Sequence, residues 1–99
     1  MARRKIVWSN RAMERLYNIL EFYIARNKSK EYSKKLYKLI NKEIKLLIKY
    51  PELGLKTSEE LVRGLIIQDY IIYYEIGEDK IIIHTIWDSR QNPEIKKIK

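Results

Sequence analysis

The sequence predicts an α+β domain: a short N-terminal strand, a hairpin of two helices, then a three-stranded antiparallel meander, with the helices packed on one face of the sheet. Three observations predict it. From Ser9 to Lys49, apolar residues return every three or four positions, the period of a helix with one buried stripe. From Leu61 to Trp87 they come instead in three runs rich in Ile, Tyr and Val, broken at Gln68-Asp69 and at Gly77-Glu78-Asp79-Lys80. Pro51 separates the two regimes. With 99 residues, no internal repeat and no linker-like tract, residues 1–99 are expected to form a single domain.

Ile6-Val7-Trp8 is too brief to stand alone and is expected to pair with the later sheet. Ser9 supplies a hydroxyl where a helix should start. Ala12, Leu16, Ile19, Leu20 and Tyr23 then form one stripe, and the helix should end near Arg26-Asn27, since Asn tolerates the left-handed conformation. Ser29 is the next cap. The second helix should bury Tyr32, Leu36, Leu39, Ile40, Ile44, Leu47 and Ile48, and stop where Pro51 removes a donor and restricts Tyr50. Pro51-Glu52-Leu53-Gly54 reads as a turn in which Gly54 is free to take positive φ. Strands follow at about residues 61–67, 70–76 and 80–87, by the alternation and length expected of strands.

Strict alternation assigns the sheet's two faces. Tyr70, Ile72, Tyr74, Ile81, Ile83 and Trp87 are expected in the core. The opposite, open face should carry Ile71, Tyr73, Glu75, Ile82, His84, Ile86, Asp88 and Arg90, with Arg63 nearby. A slip of one residue would invert that assignment. So much apolar surface left in water usually marks a binding site.

The formal charge is +8, from 21 basic and 13 acidic residues. An excess of this size favours nucleic acid, an anionic surface or an acidic protein, and by itself also serves solubility. Residues 26–49 hold nine basic and two acidic side chains, +7 of the total. Lys30, Lys34, Lys38, Lys42, Lys45 and Lys49 are three or four apart and should form one exposed ridge, either a plain solvated face or a docking ridge. Lys34 and Lys38 at its centre are the candidate binding cations. The ridge has no interleaved aromatics of the kind that stack single-stranded bases.

Several chemistries are not expected. There is no cysteine and one histidine, so neither a disulfide framework, a thiol nucleophile nor a zinc site is anticipated, and no cofactor. No apolar run approaches the ~20 residues of a membrane span, and the basic start Met-Ala-Arg-Arg-Lys lacks the apolar stretch of a signal peptide. The cytoplasm is the default expectation.

A short strand, two helices ending in Tyr50-Pro51-Glu52-Leu53-Gly54, a meander containing Tyr70-Ile71-Ile72-Tyr73-Tyr74 and a closing Arg90-Gln91-Asn92-Pro93 together resemble the RelE/ParE superfamily of toxins from type II toxin–antitoxin modules. The resemblance covers about residues 6–94. It implies a small α+β toxin held inactive by a cognate antitoxin. RelE-like members cut messenger RNA on the ribosome; ParE-like members poison DNA gyrase. Of the residues RelE-like nucleases use, Arg90 matches the arginine after the last strand. Ile71 stands where a basic residue is expected, and no tyrosine or histidine follows Arg90. The Pro-Glu-Leu-Gly turn and the Arg-Gln-Asn-Pro ending look more like the ParE, or plasmid-stabilisation, branch.

RNA cleavage through the 2′-hydroxyl needs a base, an acid and charge stabilisation at phosphorus. The candidates are His84, whose ordinary pKa lies near neutrality, with Arg90 and Arg63 as phosphate partners. Glu75 and Tyr73 are within plausible reach of His84 on the open face. Each also has a plainer role: His84 packed among isoleucines, Glu75 solvated beside a hairpin, Arg90 clamped onto Asp88. Three functions therefore stand open: a ParE-like toxin acting by binding, with gyrase as target; a ribosome-dependent messenger RNA interferase; and a basic nucleic-acid-binding module without toxicity.

Overall fold

The Ser9 hydroxyl accepts from the Ala12 N–H at 3.0 Å and donates to the His84 carbonyl at 2.9 Å. One side chain thus caps the first helix and fastens its start to the last strand. The computed structural model describes residues 4–90. In order the elements are β1 (Lys5–Trp8), α1 (Asn10–Asn27), α2 (Glu31–Lys49), β2 (Leu55–Lys56), β3 (Val62–Ile67), β4 (Tyr70–Ile76) and β5 (Lys80–Asp88). They form one five-stranded sheet in the order β1-β5-β4-β3-β2. β1 does join the sheet, parallel to β5, while β2 is a short addition antiparallel to β3. The expected ending Gln91-Asn92-Pro93 lies outside the described residues.

α1 and α2 cover one face. Their stripes meet Ile72, Tyr74, Ile81 and Ile83, all fully buried, together with Leu36, Ile40, Ile44 and Leu47. Burying such side chains contributes ~1.5–3 kcal/mol each relative to exposure. Three helix details depart from expectation. Lys30, not Ser29, is the N-cap of α2, although the Ser29 hydroxyl accepts from the Glu31 N–H at 3.2 Å. Lys28, not Asn27, takes the left-handed conformation that ends α1, at φ 54°. At the start of α2 the buried residue is Ser33 rather than Tyr32. Ser33 lies in line with Leu36, Ile40, Ile44 and Leu47, and its small hydroxyl donates to the Leu20 carbonyl at 2.7 Å. A tyrosine there would hold the two helices apart. Tyr32 turns outward and meets the edge of the Tyr23 ring, with centroids 4.6 Å apart.

The Pro51–Gly54 turn is held from the sheet. The Tyr74 hydroxyl donates to the Pro51 carbonyl at 2.7 Å and accepts from the Gly54 N–H at 2.9 Å. A Cβ on Gly54 would stand 2.8 Å from the Tyr74 ring. Gly54 does not take the positive φ expected of it. Glycine is needed here for close approach, not for backbone conformation.

A β-bulge decides the faces. Tyr73 pairs with Thr85 and Tyr74 with Ile83, leaving His84 as the extra residue of β5. Up to Ile83 the expected alternation holds; past His84 it inverts. Ile86 pairs with Ile72 and is 1% exposed, so it belongs to the core rather than to the open face. Trp87 pairs with Ile71 and leaves the core, where it had been expected.

Candidate functional site

The open face is a sheet surface that neither α1 nor α2 covers. β4 contributes Ile71, Tyr73 and Glu75; β5 contributes Ile82, His84 and Trp87. The same register adds Val7 beside Ile82, Ile66 beside Ile71 and Leu55 beside Gly64. Val7, Leu55 and Ile66 are 42%, 63% and 57% exposed. Gly64 keeps the middle of this face low, since a Cβ there would stand 3.1 Å from Ile71 and 3.4 Å from the Tyr73 ring. Burial pushes the Tyr73 phenol up.

A polar pair lies within this surface, and the register sets the exposed Lys5 and Lys80 at its edge, on the side of Val7 and Ile82. His84 Nε2 lies 2.8 Å from Glu75 Oε1, both side chains partly exposed. The bulge presents His84 toward Glu75, whose direct partner across the ladder is Ile82.

The three candidate catalytic side chains do not converge. Arg63 pairs with Tyr74 and therefore lies on the helix-facing side, not beside the open face. There it donates to the Gly54 and Glu52 carbonyls at 2.8 and 3.3 Å, fastening the Pro51–Gly54 turn. Asp88 follows the inverted alternation past the bulge; Arg90 stands in the turn after β5 and reaches the same side. Its guanidinium donates to both Asp88 oxygens at 3.1 and 3.0 Å and to the Tyr23 hydroxyl of α1 at 3.2 Å, with Asp69 at 3.4 Å. These contacts raise the Arg90 pKa further, and Arg90 holds the Asp88 carboxyl below the usual range. His84 is thus left on the open face without either arginine. Arg90, Asp88, Arg63 and Ile86 are all corrected from the open face to the helix side.

Lys34 and Lys38 are exposed on α2, as are Lys30, Lys42, Lys45 and Lys49, so the basic ridge exists. It lies on the helix layer, away from the open sheet face. Sequence reasoning missed Trp87 and Ile66 on that face. The signal for Trp87 was Thr85, a polar residue in the otherwise apolar series Ile81, Ile83, Thr85. Ile66 could have been read by continuing the alternation into the first strand of the meander.

Residues 6–93 match the family model described as "ParE toxin of type II toxin-antitoxin system, parDE". Among solved structures the chain is similar to one titled "Chromosomal ParDE TA system from P. aeruginosa". The two are 20% identical over 84% of this chain and 92% of that one, with a TM-score of 0.71, a likeness of fold. No curated protein matches the chain. The family match runs from β1 to beyond the last described strand, and the chain belongs to the ParE toxin family of type II toxin–antitoxin systems.

Proposed function

We propose that this ParE-family protein stops growth by binding an essential macromolecule rather than by cutting RNA, and that a cognate antitoxin neutralises it by covering the open sheet face. The observation that carries the reading is the separation of the charges. The open face holds Val7, Leu55, Ile66, Ile71, Tyr73 and Ile82 around the His84–Glu75 pair, with Lys5 and Lys80 at its margin, while Arg63 and Arg90 are engaged on the other side. Phosphoryl transfer needs preorganised positive charge at the phosphorus, and His84 with Glu75 supplies none. An apolar sheet face suits a protein surface or a partner's amphipathic segment. DNA gyrase is the target expected from the ParE resemblance, and the cytoplasm is where it would be met. The solved neighbour is itself titled a ParDE system, in keeping with a toxin paired with an antitoxin.

Induced expression with and without the adjacent reading frame tests this. The expected result is growth arrest, relief by a short acidic neighbour, inhibited gyrase supercoiling in vitro and intact messenger RNA. Codon-positioned cuts in primer extension would overturn the binding mechanism. Harmless expression together with salt-sensitive nucleic-acid binding would point to a plain basic binding module.

A further inference from the structure

The outer surface of α2 is cationic along its whole length. Lys30, Lys34, Lys35, Lys38, Lys42, Lys45 and Lys49 are all exposed, and at 1.5 Å per residue they span about 28 Å. At 3.6 residues per turn they spread over about 140° of the helix surface, opposite the stripe Leu36, Ile40, Ile44 and Leu47 that packs on the sheet. Among the described residues, none of these lysines has a carboxylate within ion-pair distance. Glu31, in the first turn of α2, is the acidic side chain inside the arc. α1 is nearly balanced by comparison, with Arg11, Arg15 and Arg26 against Glu14 and Glu21. The ridge was expected to carry no aromatic, but Tyr37 borders it and is 48% exposed. It lines a shallow groove of about 450 Å³ with Lys38, Asn41, Lys42 and Lys45, and the Asn41 amide donates to the Tyr37 carbonyl at 3.1 Å.

The shape and chemistry of this surface choose among anionic partners. Lysine is a strongly hydrated point charge and is depleted where proteins bury surface against one another, so a close protein interface fits it poorly. A lipid surface would need the apolar side of α2, which is already buried against the sheet. A single strand is held by successive aromatic rings, and Tyr37 alone gives no such series. What remains is a convex rod with cations spread round a broad arc. That shape fits a concave groove walled by two rows of phosphates. The major groove of B-form DNA is wide enough for an α-helix, while that of an RNA duplex is deep and narrow. We propose that α2 is a docking surface for the backbone of duplex DNA, with Lys38, Lys42 and Lys45 at its centre and Tyr37 packed beside a sugar. Contacts of this kind carry no sequence information, so the binding is non-specific. α2 lies on the side of the sheet away from the open face, so a protein on that face leaves the ridge free. The inference stands on the ridge itself and does not depend on which protein covers the sheet.

The test is fluorescence anisotropy on the full chain with a labelled DNA duplex, repeated over a series of salt concentrations. Unlabelled single-stranded DNA, duplex RNA, polyglutamate and vesicles containing phosphatidylserine serve as competitors. With five to seven phosphates neutralised, log K should fall against log salt with a slope of about −4.5 to −6. Glutamine matches lysine closely in helix propensity, so Lys38→Gln/Lys42→Gln/Lys45→Gln should melt like the parent. It should bind the duplex roughly tenfold or more weakly, with a slope shallower by about 2 to 3. Lys5→Gln/Lys56→Gln/Lys80→Gln removes the same charge from exposed positions on the sheet. Its slope should stay within about one of the parent's if the effect is local. Absence of duplex binding at low salt, equal losses in the two triple variants, or better competition by any of the four competitors than by unlabelled duplex DNA would each overturn the proposal.

Discussion

The Arg90 guanidinium and the Tyr70 hydroxyl both donate to one oxygen, that of Tyr23, at 3.2 and 3.1 Å. The two donors hold the Tyr23 phenol below its usual pKa, Tyr70 more than Arg90. Burial, and then the bond it donates, push Tyr70 well above its own. The cluster ties the exit of the sheet to α1. Tyr23→Phe leaves the buried Tyr70 hydroxyl without its acceptor and should cost about 1–3 kcal/mol in urea unfolding. Adding Tyr70→Phe should recover part of that loss; strictly additive losses in the double-mutant cycle would deny the coupling.

Asp88 adds a dependence on pH. Arg90 lowers its carboxyl pKa in the native state. A depressed carboxylate contributes stability that is present above its unfolded pKa, about 4. That contribution is lost as pH falls through the lower native value. The stability gap between the parent and Asp88→Asn should therefore be full at neutrality and close below about pH 4. A gap constant down to pH 2 would show that Asp88 acts through packing alone.

Gly54 tests the turn. Its Cβ would meet the Tyr74 ring at 2.8 Å, and that ring is fully buried and cannot retreat cheaply. Gly54→Ala should cost about 1–3 kcal/mol through overpacking. Since φ at Gly54 is not positive, Gly54→Asn should fare no better, whereas a left-handed turn would tolerate it. The comparison of the two melting temperatures separates the causes.

Ile66 tests the open face. It is 57% exposed, so Ile66→Asp should leave stability within about 0.5 kcal/mol. Antitoxin binding should nonetheless weaken by roughly tenfold or more, because a carboxylate would be placed in a desolvated interface. Unchanged affinity by calorimetry would remove this face from the interface.

The ridge acts at longer range. Lys34→Glu/Lys38→Glu should slow association with an acidic antitoxin by roughly tenfold at low salt, leave dissociation nearly unchanged, and lose its effect as salt rises. An unaltered association rate would exclude the ridge from that capture.

Periodicity made most of the fold legible. The helical stripes, the Ser9 cap, the stop at Pro51 and all three meander strands lay in spacing and punctuation. The site was legible only up to Ile83. Alternation is a local rule, and one extra residue at His84 reverses everything beyond it, which is why Ile86, Asp88 and Arg90 were placed on the wrong side and Trp87 in the core. Arg63 fell differently: its face is set by pairing with Tyr74, a register that strand composition does not specify. Ser33 carried no hydrophobic signal at all, yet its size sets how near α1 and α2 lie. Ile71, Tyr73, Glu75 and Ile82 stand on the open face as the alternation expects, since none of them lies beyond the bulge.

The Ser9 hydroxyl reaches the His84 carbonyl across 75 positions of chain, and the first strand lies beside the last. During translation, β1 must wait for almost the entire polypeptide before it has anything to pair with. Contacts so distant in sequence are slow to form and leave apolar segments uncovered meanwhile. The open sheet face is therefore finished only when β5 has been made. A copy cut short before β5 would lack Ile82, His84 and Trp87 and leave β1 with no strand to lie beside.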